Sequence, residues 1–426
     1  MKKALRDGKK VVSFISVKLL RYFLSFVLCI LFLVVVFFYP ILSPYVGLKP
    51  MPEMQRPDQS EAETKDTLYL KALSQIEEIL FQSAQQLQVP ALSAAIGVDN
   101  QLIWANAAGY ADIAEQRKAD RYTQFRIGSV SKSVTAMGIG KLLESGQLSL
   151  DRSIQSYVSY FDQSKPNISI RQLASHTSGI RNYGFCCCIP AHEGLNNDQY
   201  ESVAQSVGVF SHDKLLFEPG TGFSYATYNY TLISAAMEEV TGVSFLDYMA
   251  KTVFQPLEMN STMGDLALET IANRATFYDV KKGKYKEAYR INSSNKWAGG
   301  GMLSTPSDLI KMANALLNDN FLAAATKAQL WQPVPLTNGE MNPQNYAIAW
   351  RIDATPNILK DRKVQIIHHG GTITGSIALL ILFPEYNMSI AMMANRSGSS
   401  GELFGPIYEM AKVLIPHHPI RKREDS

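Results

Sequence analysis

Apolar positions recur at helical spacing in one region and form longer, nearly continuous runs in two others. The first pattern predicts a helix over residues 67–88. Residues 91–112 and 376–395 each predict two strands around a short turn, and residues 404–415 predict a final helix. Strands at both ends with helices between them predict an α+β domain over residues 67–416. We expect an antiparallel sheet, built from the terminal segments, flanked by helices and interrupted by a helical insert.

Capping residues mark helix boundaries between these strand pairs. The stretch "RIGSVSKSVTA" predicts a helix that begins at Ser129 and stops at Gly146. "SIRQ", from Ser169, matches a capping box, and Gly179 is predicted to end that short helix. Two further helices carry similar signals: residues 227–240, ended by Gly242, and a helix that begins at Thr305.

An uncharged run, "YFLSFVLCILFLVVVFFY", follows a strongly basic start. At about 1.5 Å per residue it nearly spans a hydrocarbon core of roughly 30 Å, and it predicts a retained transmembrane helix over residues 22–42. A cleaved signal peptide and a buried core helix are the alternatives. The run is longer than a signal peptide's apolar core, and no small-residue cleavage site follows it. The basic flank predicts that residues 1–21 are cytoplasmic and that the later chain lies beyond the bilayer.

Charge is unevenly distributed along the chain. The 426 residues have a formal net charge of +3, whereas residues 1–21 contain seven basic side chains and one acidic side chain. The rest of the chain is therefore slightly acidic, which excludes the basic surface typical of nucleic-acid binding. Residues 43–66, rich in proline and charge, predict a linker, and residues 417–426 predict a solvated tail.

Cysteine usage gives little indication of a metal or redox site. Cys29 lies in the predicted anchor, and Cys186, Cys187 and Cys188 are consecutive. Adjacent residues point in different directions, so this triplet is a poor ligand set for one metal ion even with His192 nearby. Loop packing is the favoured interpretation, and a vicinal disulfide or redox role is the alternative. No metal and no organic cofactor are predicted.

Ser129 and Lys132 form the candidate chemical pair. A serine at the first turn of a helix lies near free backbone N–H groups and the positive end of the helix dipole. A lysine three residues later lies on the same face, where burial could lower its pKa and make it a base. The same spacing recurs at Ser211 and at Ser293, so it is weak alone. The alternative is that Ser129 is only a helix cap.

Several stretches, in order, resemble serine β-lactamase-like and penicillin-binding hydrolases, specifically the class C branch with its carboxypeptidases, aminopeptidases and esterases. They cover roughly residues 70–415. The stretches are "FRIGSVSKSVTA", "LLESGQLSLDRSIQSYVSYF", "ISIRQLASHTSGIRNY", "FEPGTGFSYATYNYTLISAAMEEVTGVSFLDYM", "AGGGMLSTPSDLIKM" and "HHGGTITG" followed by "LFPE". The resemblance implies the β-lactamase/transpeptidase-like fold.

Carried over residue by residue, the resemblance implies that Ser129 is the nucleophile and Lys132 its general base. The family's second motif, Tyr-x-Asn, falls on Tyr225 and Thr227. Tyr225 is implied to share proton transfer, with its phenol acidified by Lys132. Thr227 departs from the family amide, and Asn229 is two residues out of register. Packing of Tyr225 in an aromatic core is the alternative.

The family's third motif, Lys-Thr-Gly, appears here as His369-Gly370-Gly371. The resemblance implies that His369, Gly371 and Thr372 border the substrate, and that the backbone N–H groups of Thr372 and Ser129 form the oxyanion hole. His369 as a structural histidine stays open. Two other features are expected to be structural: His176, as a buried hydrogen-bonding group, and Gly299–Gly301, as a close-packed segment.

We therefore expect a membrane-anchored serine hydrolase that forms an acyl-enzyme on a small ester, peptide or β-lactam-like substrate. The departures at Thr227 and His369 favour an esterase or peptidase over an efficient β-lactamase. The alternative is a catalytically weak or inactive member acting as a membrane-bound sensor or scaffold. The expected location is an inner membrane, with the bilayer bound through residues 22–42 and the catalytic domain in the periplasm. A mitochondrial membrane, with the domain facing the intermembrane space, is the alternative.

Overall fold

The computed structural model describes the following parts of the chain: residues 19–32, 46–58, 67–184, 193–195 and 197–417. The chain divides into two units, Met1–Lys49 and Pro50–Ser426. In the first unit, residues 19–32 are helical with mostly exposed side chains. Within the described residues, none of the helices combines the length and apolar character needed to cross a bilayer.

Several predicted segments lie wholly or partly outside the described residues, and the predictions for them stay predictions. They are most of the cytoplasmic segment, the two ends of the linker, the C-terminal half of the anchor, nearly all of the tail, and Cys186–Cys188 with His192. A two-residue strand, Lys49–Pro50, lies at the boundary between the units.

The second unit contains ten α-helices among its described residues. In chain order they are α1 (Thr67–Gln86), α2 (Val130–Glu144), α3 (Ile170–Ala174), α4 (Val203–Gly208), α5 (Tyr228–Thr241), α6 (Phe245–Met249), α7 (Trp297–Gly300), α8 (Pro306–Leu317), α9 (Ala324–Trp331) and α10 (Phe404–Leu414). Short 3₁₀ turns lie at Ile154–Ser156, Glu193–Leu195, Pro384–Tyr386, Ser400–Leu403 and Ile415–His417, and a π-helical turn at Ala250–Phe254.

Twelve strands accompany these helices in the described part of the second unit. They are β1 (Ala91–Val98), β2 (Gln101–Asp112), β3 (Arg117–Lys118), β4 (Phe125–Arg126), β5 (Met263–Gly264), β6 (Tyr278–Lys281), β7 (Lys284–Glu287), β8 (Met302–Ser304), β9 (Arg351–Thr355), β10 (Val364–Ile373), β11 (Ser376–Phe383) and β12 (Met388–Ala394). Seven form the main antiparallel sheet in the order β9-β10-β11-β12-β1-β2-β3.

The main sheet joins the two ends of the domain, as the sequence predicts. β12 pairs antiparallel with β1, so that Ala391 faces Ala95. Alternate side chains of a strand point to opposite faces, and β11 follows this rule: Leu379 and Ile381 face one core, while Leu380 faces the other. Helices α1 and α10 cover the first face, and α8 covers part of the second. The predicted α+β arrangement with a helical insert is therefore confirmed.

The boundary predicted at Gly179 is wrong. Ser169 forms the predicted capping box with Gln172, but α3 ends at Ala174. His176, with a φ of +63°, takes the left-handed conformation directly after the helix. Gly179 also has a positive φ, yet it lies beyond the helix, where a β-carbon would come within 2.3 Å of the Phe217 carbonyl oxygen. Close backbone approach, rather than helix termination, therefore requires glycine at this position.

Candidate active site

Ser129 stands at the start of α2 and faces open space. It is the residue before the first helical turn, and its side chain makes no capping hydrogen bond. Together with Thr227 and Thr372 it lines a cavity of about 300 Å³. The interpretation of Ser129 as a mere helix cap is therefore not supported, because its side chain caps no backbone group and the residue lines the cavity.

The amine of Lys132 lies beneath this hydroxyl and is fully buried. Its Nζ is 3.3 Å from Ser129 Oγ, 3.4 Å from Thr227 Oγ1 and 2.5 Å from the Gly299 carbonyl oxygen. Burial, with a smaller contribution from Arg351, holds the pKa of Lys132 well below its ordinary value. A neutral amine at this place can donate to Gly299 and Thr227 and accept the Ser129 hydroxyl hydrogen.

Tyr225 approaches the same pair. Its ring centroid is 4.7 Å from Lys132 Nζ. Burial raises the pKa of its phenol to about 12, and Arg351 and the nearby Ser129 and Tyr346 hydroxyls act in the opposite direction. The buried hydroxyl makes no well-aligned hydrogen bond within the described residues. The expectation that Lys132 acidifies the phenol is wrong for this structure, because burial raises the pKa of Tyr225 and the charge that opposes this effect is that of Arg351.

His369 lies behind Tyr225 and not in the cavity. It is fully buried, with its ring centroid 6.3 Å from that of Tyr225. Its Nδ1 lies 2.8 Å from the Gly370 carbonyl oxygen, which only accepts, so Nδ1 carries the hydrogen. Its Nε2 then accepts from the Tyr346 hydroxyl at 2.8 Å and from Arg351 at 3.4 Å. Burial and the charge of Arg351 lower the pKa of His369, so the ring is neutral. His369 is not among the residues that line the cavity, and its expected place beside the substrate stays a prediction.

Strand β10 passes directly beside the start of α2. A β-carbon on Gly371 would lie 1.9 Å from the Ile127 carbonyl oxygen and 3.1 Å from the Ser129 amide nitrogen. On the other side, a β-carbon on Gly128 would lie 2.9 Å from the Thr372 amide nitrogen. This crossing brings Ser129 and Thr372, which both line the cavity, close together, and the oxyanion hole that the resemblance implies stays a prediction.

Thr227 occupies the position expected from the second motif. Its hydroxyl contacts Lys132, and its amide donates to Asn182 Oδ1 at 2.9 Å. Asn229 does not substitute for the missing amide. Its Oδ1 accepts from Ser178 Oγ at 2.7 Å, and its Nδ2 lies 3.1 Å from His176 Nδ1.

Two expectations about structural residues are confirmed. His176 is fully buried and accepts at Nδ1 from the Ala226 amide. Gly299 is close-packed, since a β-carbon there would lie 2.6 Å from Thr227 Cγ2, and its carbonyl accepts from Lys132.

Sequence reasoning missed several residues that shape the site. Arg351 lies 5.6 Å from the Tyr225 ring centroid and is held by Gln344, with Nη2 at 2.6 Å from Gln344 Oε1. Tyr346 connects Arg351 and His369. Lys296 lines the cavity itself. Of these residues, only Lys296 belongs to a pattern noted in the sequence, the Ser-x-x-Lys spacing that begins at Ser293. That spacing does not explain why Lys296 lies at the cavity.

The fold, with a pocket-lining serine at a helix start and a lysine one turn later, is that of serine hydrolases of the β-lactamase and penicillin-binding type. Residues 76–414 match the family described as Beta-lactamase, and the chain belongs to that family.

Known relatives agree with this assignment. The human mitochondrial serine beta-lactamase-like protein LACTB is 28% identical, covering 77% of this chain and 75% of that protein. Penicillin-binding protein 4* of Bacillus subtilis is 26% identical, covering 76% of this chain and 74% of that protein. The solved structure of D-amino acid amidase from Ochrobactrum anthropi is similar in fold, with a TM-score of 0.67 at 21% identity over 82% of this chain and 99% of that chain.

Proposed function

We propose that this protein is a serine hydrolase that works through an acyl-enzyme on an ester or amide substrate. The observation that carries the proposal is the buried amine of Lys132, 3.3 Å from a Ser129 hydroxyl that opens onto a cavity of about 300 Å³. A nucleophile, a base within hydrogen-bond reach and a space for the reacting group are the parts that such chemistry needs.

In the proposed reaction, Ser129 Oγ attacks the substrate carbonyl carbon while the neutral amine of Lys132 takes the hydroxyl proton. The backbone amides of Ser129 and Thr372 stabilise the resulting oxyanion. Collapse of this tetrahedral intermediate breaks the bond to the leaving group, which receives the proton from Lys132 directly or through the adjacent Tyr225. Water then attacks the acyl-enzyme, with its proton passing to the same groups, and releases the acid and free Ser129. Gly371 contributes by letting the β10 backbone approach so closely, and His369 acts as a positioning residue through Tyr346.

An ester or small peptide is a better candidate substrate than a β-lactam. The hydroxyl of Thr227 stands where the family pattern has an amide, and a neutral, buried histidine stands where β-lactamases have lysine. The similar proteins are named for different activities: penicillin binding, amidase activity and, for EstCE1, hydrolase and acyltransferase activity. This range supports acyl transfer as the shared chemistry without selecting one substrate.

Labelling with a fluorescent fluorophosphonate tests the proposal against the alternative of an inactive sensor or scaffold. The probe should modify the wild-type protein, and Ser129→Ala should abolish the label. Ser211→Ala is a matched control because Ser211 heads another Ser-x-x-Lys tetrad yet is not among the residues that line the cavity. Equal labelling of all three proteins, or no labelling of any, would favour the non-catalytic alternative.

We also propose that residues 22–42 anchor the protein in a membrane, with the catalytic domain beyond it. The basic start and the uncharged run support this proposal. A bacterial inner membrane with a periplasmic domain is the primary location. The mitochondrial name of the human relative supports the alternative of a domain that faces the intermembrane space. A reporter joined after residue 66 should be active only outside the cytoplasm or matrix, and activity inside would contradict this orientation.

A further inference from the structure

Lys296 places a second lysine in the candidate active site. It precedes α7, is only 3% exposed, and lines the same cavity as Ser129. The proposed hydrolysis does not use it, since Lys132 is the lysine in contact with the Ser129 hydroxyl. Its burial and its position at the cavity call for a separate explanation.

The charge of Lys296 is poorly compensated within the described residues. Its Nζ donates to the Gly194 carbonyl oxygen at 3.1 Å and lies 5.3 Å from the Tyr183 ring centroid. No carboxylate of the described residues forms an ion pair with it, and none lines the cavity. A buried ammonium without a counter-ion is costly in free energy unless an anion joins it.

The protonation state of Lys296 differs from that of Lys132. Burial and the charge of Arg126 lower the pKa of Lys296 to about 8, while Asp265 acts in the opposite direction. Lys296 therefore remains mostly protonated at neutral pH, whereas the proposed role of Lys132 as a base requires its neutral form, in keeping with a pKa well below the ordinary value. The cavity thus combines a neutral amine beside the nucleophile with a cationic amine elsewhere on its wall.

We propose that Lys296 binds a carboxylate of the substrate, so that the enzyme prefers esters or amides whose acyl or leaving part carries a negative charge. This inference rests on the proposed hydrolase function and adds the substrate class. An ammonium–carboxylate hydrogen bond formed in a water-poor cavity would supply the missing counter-ion and fix the substrate's orientation relative to Ser129.

A purely structural role for Lys296 is the competing explanation. Its bond to Gly194 could serve only to hold the turn Glu193–Leu195 against the cavity wall. Lys327 offers a matched control for such a role. It is likewise buried, at 7% exposure, and donates to the Leu316 carbonyl oxygen at 2.9 Å. Unlike Lys296, it has a carboxylate partner, Asp319, at 2.5 Å, and it is not among the residues that line the cavity.

Binding is measured first, on Ser129→Ala, so that hydrolysis is not required. Calorimetry should show that monomethyl adipate binds more tightly than dimethyl adipate, and Lys296→Met added to Ser129→Ala should reduce this preference about 10- to 100-fold. Lys296→Arg should retain part of the preference, and Lys327→Met should retain all of it. Equal binding of the two ligands to Ser129→Ala, or a preference that survives Lys296→Met, would overturn the inference.

Kinetics then separate this inference from the proposed function. With Ser129 intact, kcat/KM for mono-p-nitrophenyl adipate relative to its neutral methyl ester should favour the anion, and Lys296→Met should lower the ratio about 10- to 100-fold. Ser129-dependent hydrolysis without anion preference overturns the inference and leaves the hydrolase function standing. Lys296-dependent anion binding without hydrolysis of either ester supports the inference, and it is the hydrolase function that then fails.

Discussion

A lysine side chain that must be neutral to act as a base reduces the stability of the domain that buries it. The unfolded chain holds a proton on this amine up to its ordinary pKa of about 10.4. In the folded protein, burial shifts the pKa of Lys132 well below that value. Between the two pKa values the unfolded chain binds one more proton than the folded chain, so the free energy of unfolding rises with pH across that window.

Lys132→Met should remove this dependence. We expect the variant to be most stabilised relative to wild type near neutral pH. The difference should shrink as the pH rises towards about 10, at up to about 1.4 kcal/mol per pH unit. Urea unfolding at several pH values measures it, with exposed Lys251→Met as control for the loss of one charge. A difference that is constant or grows with pH would mean that Lys132 is not neutral in the folded protein.

At the scale of residues, the sequence identifies the groups whose relation is local. Ser129 and Lys132 are one helical turn apart, so their contact follows from helix geometry. Arg351 and Lys296 come from distant segments, and although Lys296 precedes one of the family-like stretches, no sequence pattern assigns either side chain to the site. Their influence on pKa values depends on burial and through-space charge, which the order of residues does not reveal.

Among the elements, the crossing of β10 and α2 determines whether the candidate oxyanion hole exists. Gly371→Ala should displace the strand from Ser129, because its β-carbon would lie 1.9 Å from the Ile127 carbonyl oxygen. We expect about 2–4 kcal/mol lower stability, in the range of severe steric substitutions, together with much slower fluorophosphonate labelling. Thermal unfolding and labelling rates measure the two effects.

Gly405→Ala is the control for this prediction. Gly405 lies within α10, and a β-carbon there meets no atom within 4 Å. It should be neutral or stabilise the protein by up to about 1 kcal/mol, since alanine is the better helix former. If Gly371→Ala behaved like Gly405→Ala, the close approach of strand and helix would be wrong.

Element boundaries could be predicted where the signal is local. The capping box at Ser169 forms, and Gly242 ends α5 with a φ of +71°. β9 was missed, because its first three residues are partly exposed, the fourth is exposed and only the last is buried, so the strand carries no alternating apolar pattern. The helix end predicted at Gly179 is misplaced for another reason. A glycine with a positive φ can allow a tertiary contact as well as end a helix, and the sequence does not distinguish the two.

At the scale of the whole molecule, the Asn395 side chain forms hydrogen bonds with three segments that are remote in sequence. Its Oδ1 accepts from the Ala91 amide at 2.7 Å, and its Nδ2 donates to the Tyr110 and Thr276 carbonyl oxygens at 3.1 and 3.0 Å. The side chain is fully buried, so its removal takes a partner from the buried Ala91 amide and from two partly buried carbonyl oxygens.

Asn395→Ala should therefore lower the free energy of unfolding by about 3–5 kcal/mol, as several unsatisfied buried groups imply. Chemical denaturation measures the loss, and exposed Asn338→Ala should stay within about 0.5 kcal/mol of wild type. A loss below about 1 kcal/mol for Asn395→Ala would show that the three segments are held by other contacts.

The pairing of β1 with β12 has a consequence for biosynthesis. Ala91 and Asn395, 304 positions apart, bond to each other at the edge of this pairing. All eight residues of β1 are buried in the finished sheet. During translation β1 and its hairpin partner β2 emerge early, whereas β12, the partner on the other side of β1, appears only near the end of the chain. We therefore expect the exposed edge of β1 to be a binding site for holdase chaperones until β12 is synthesised.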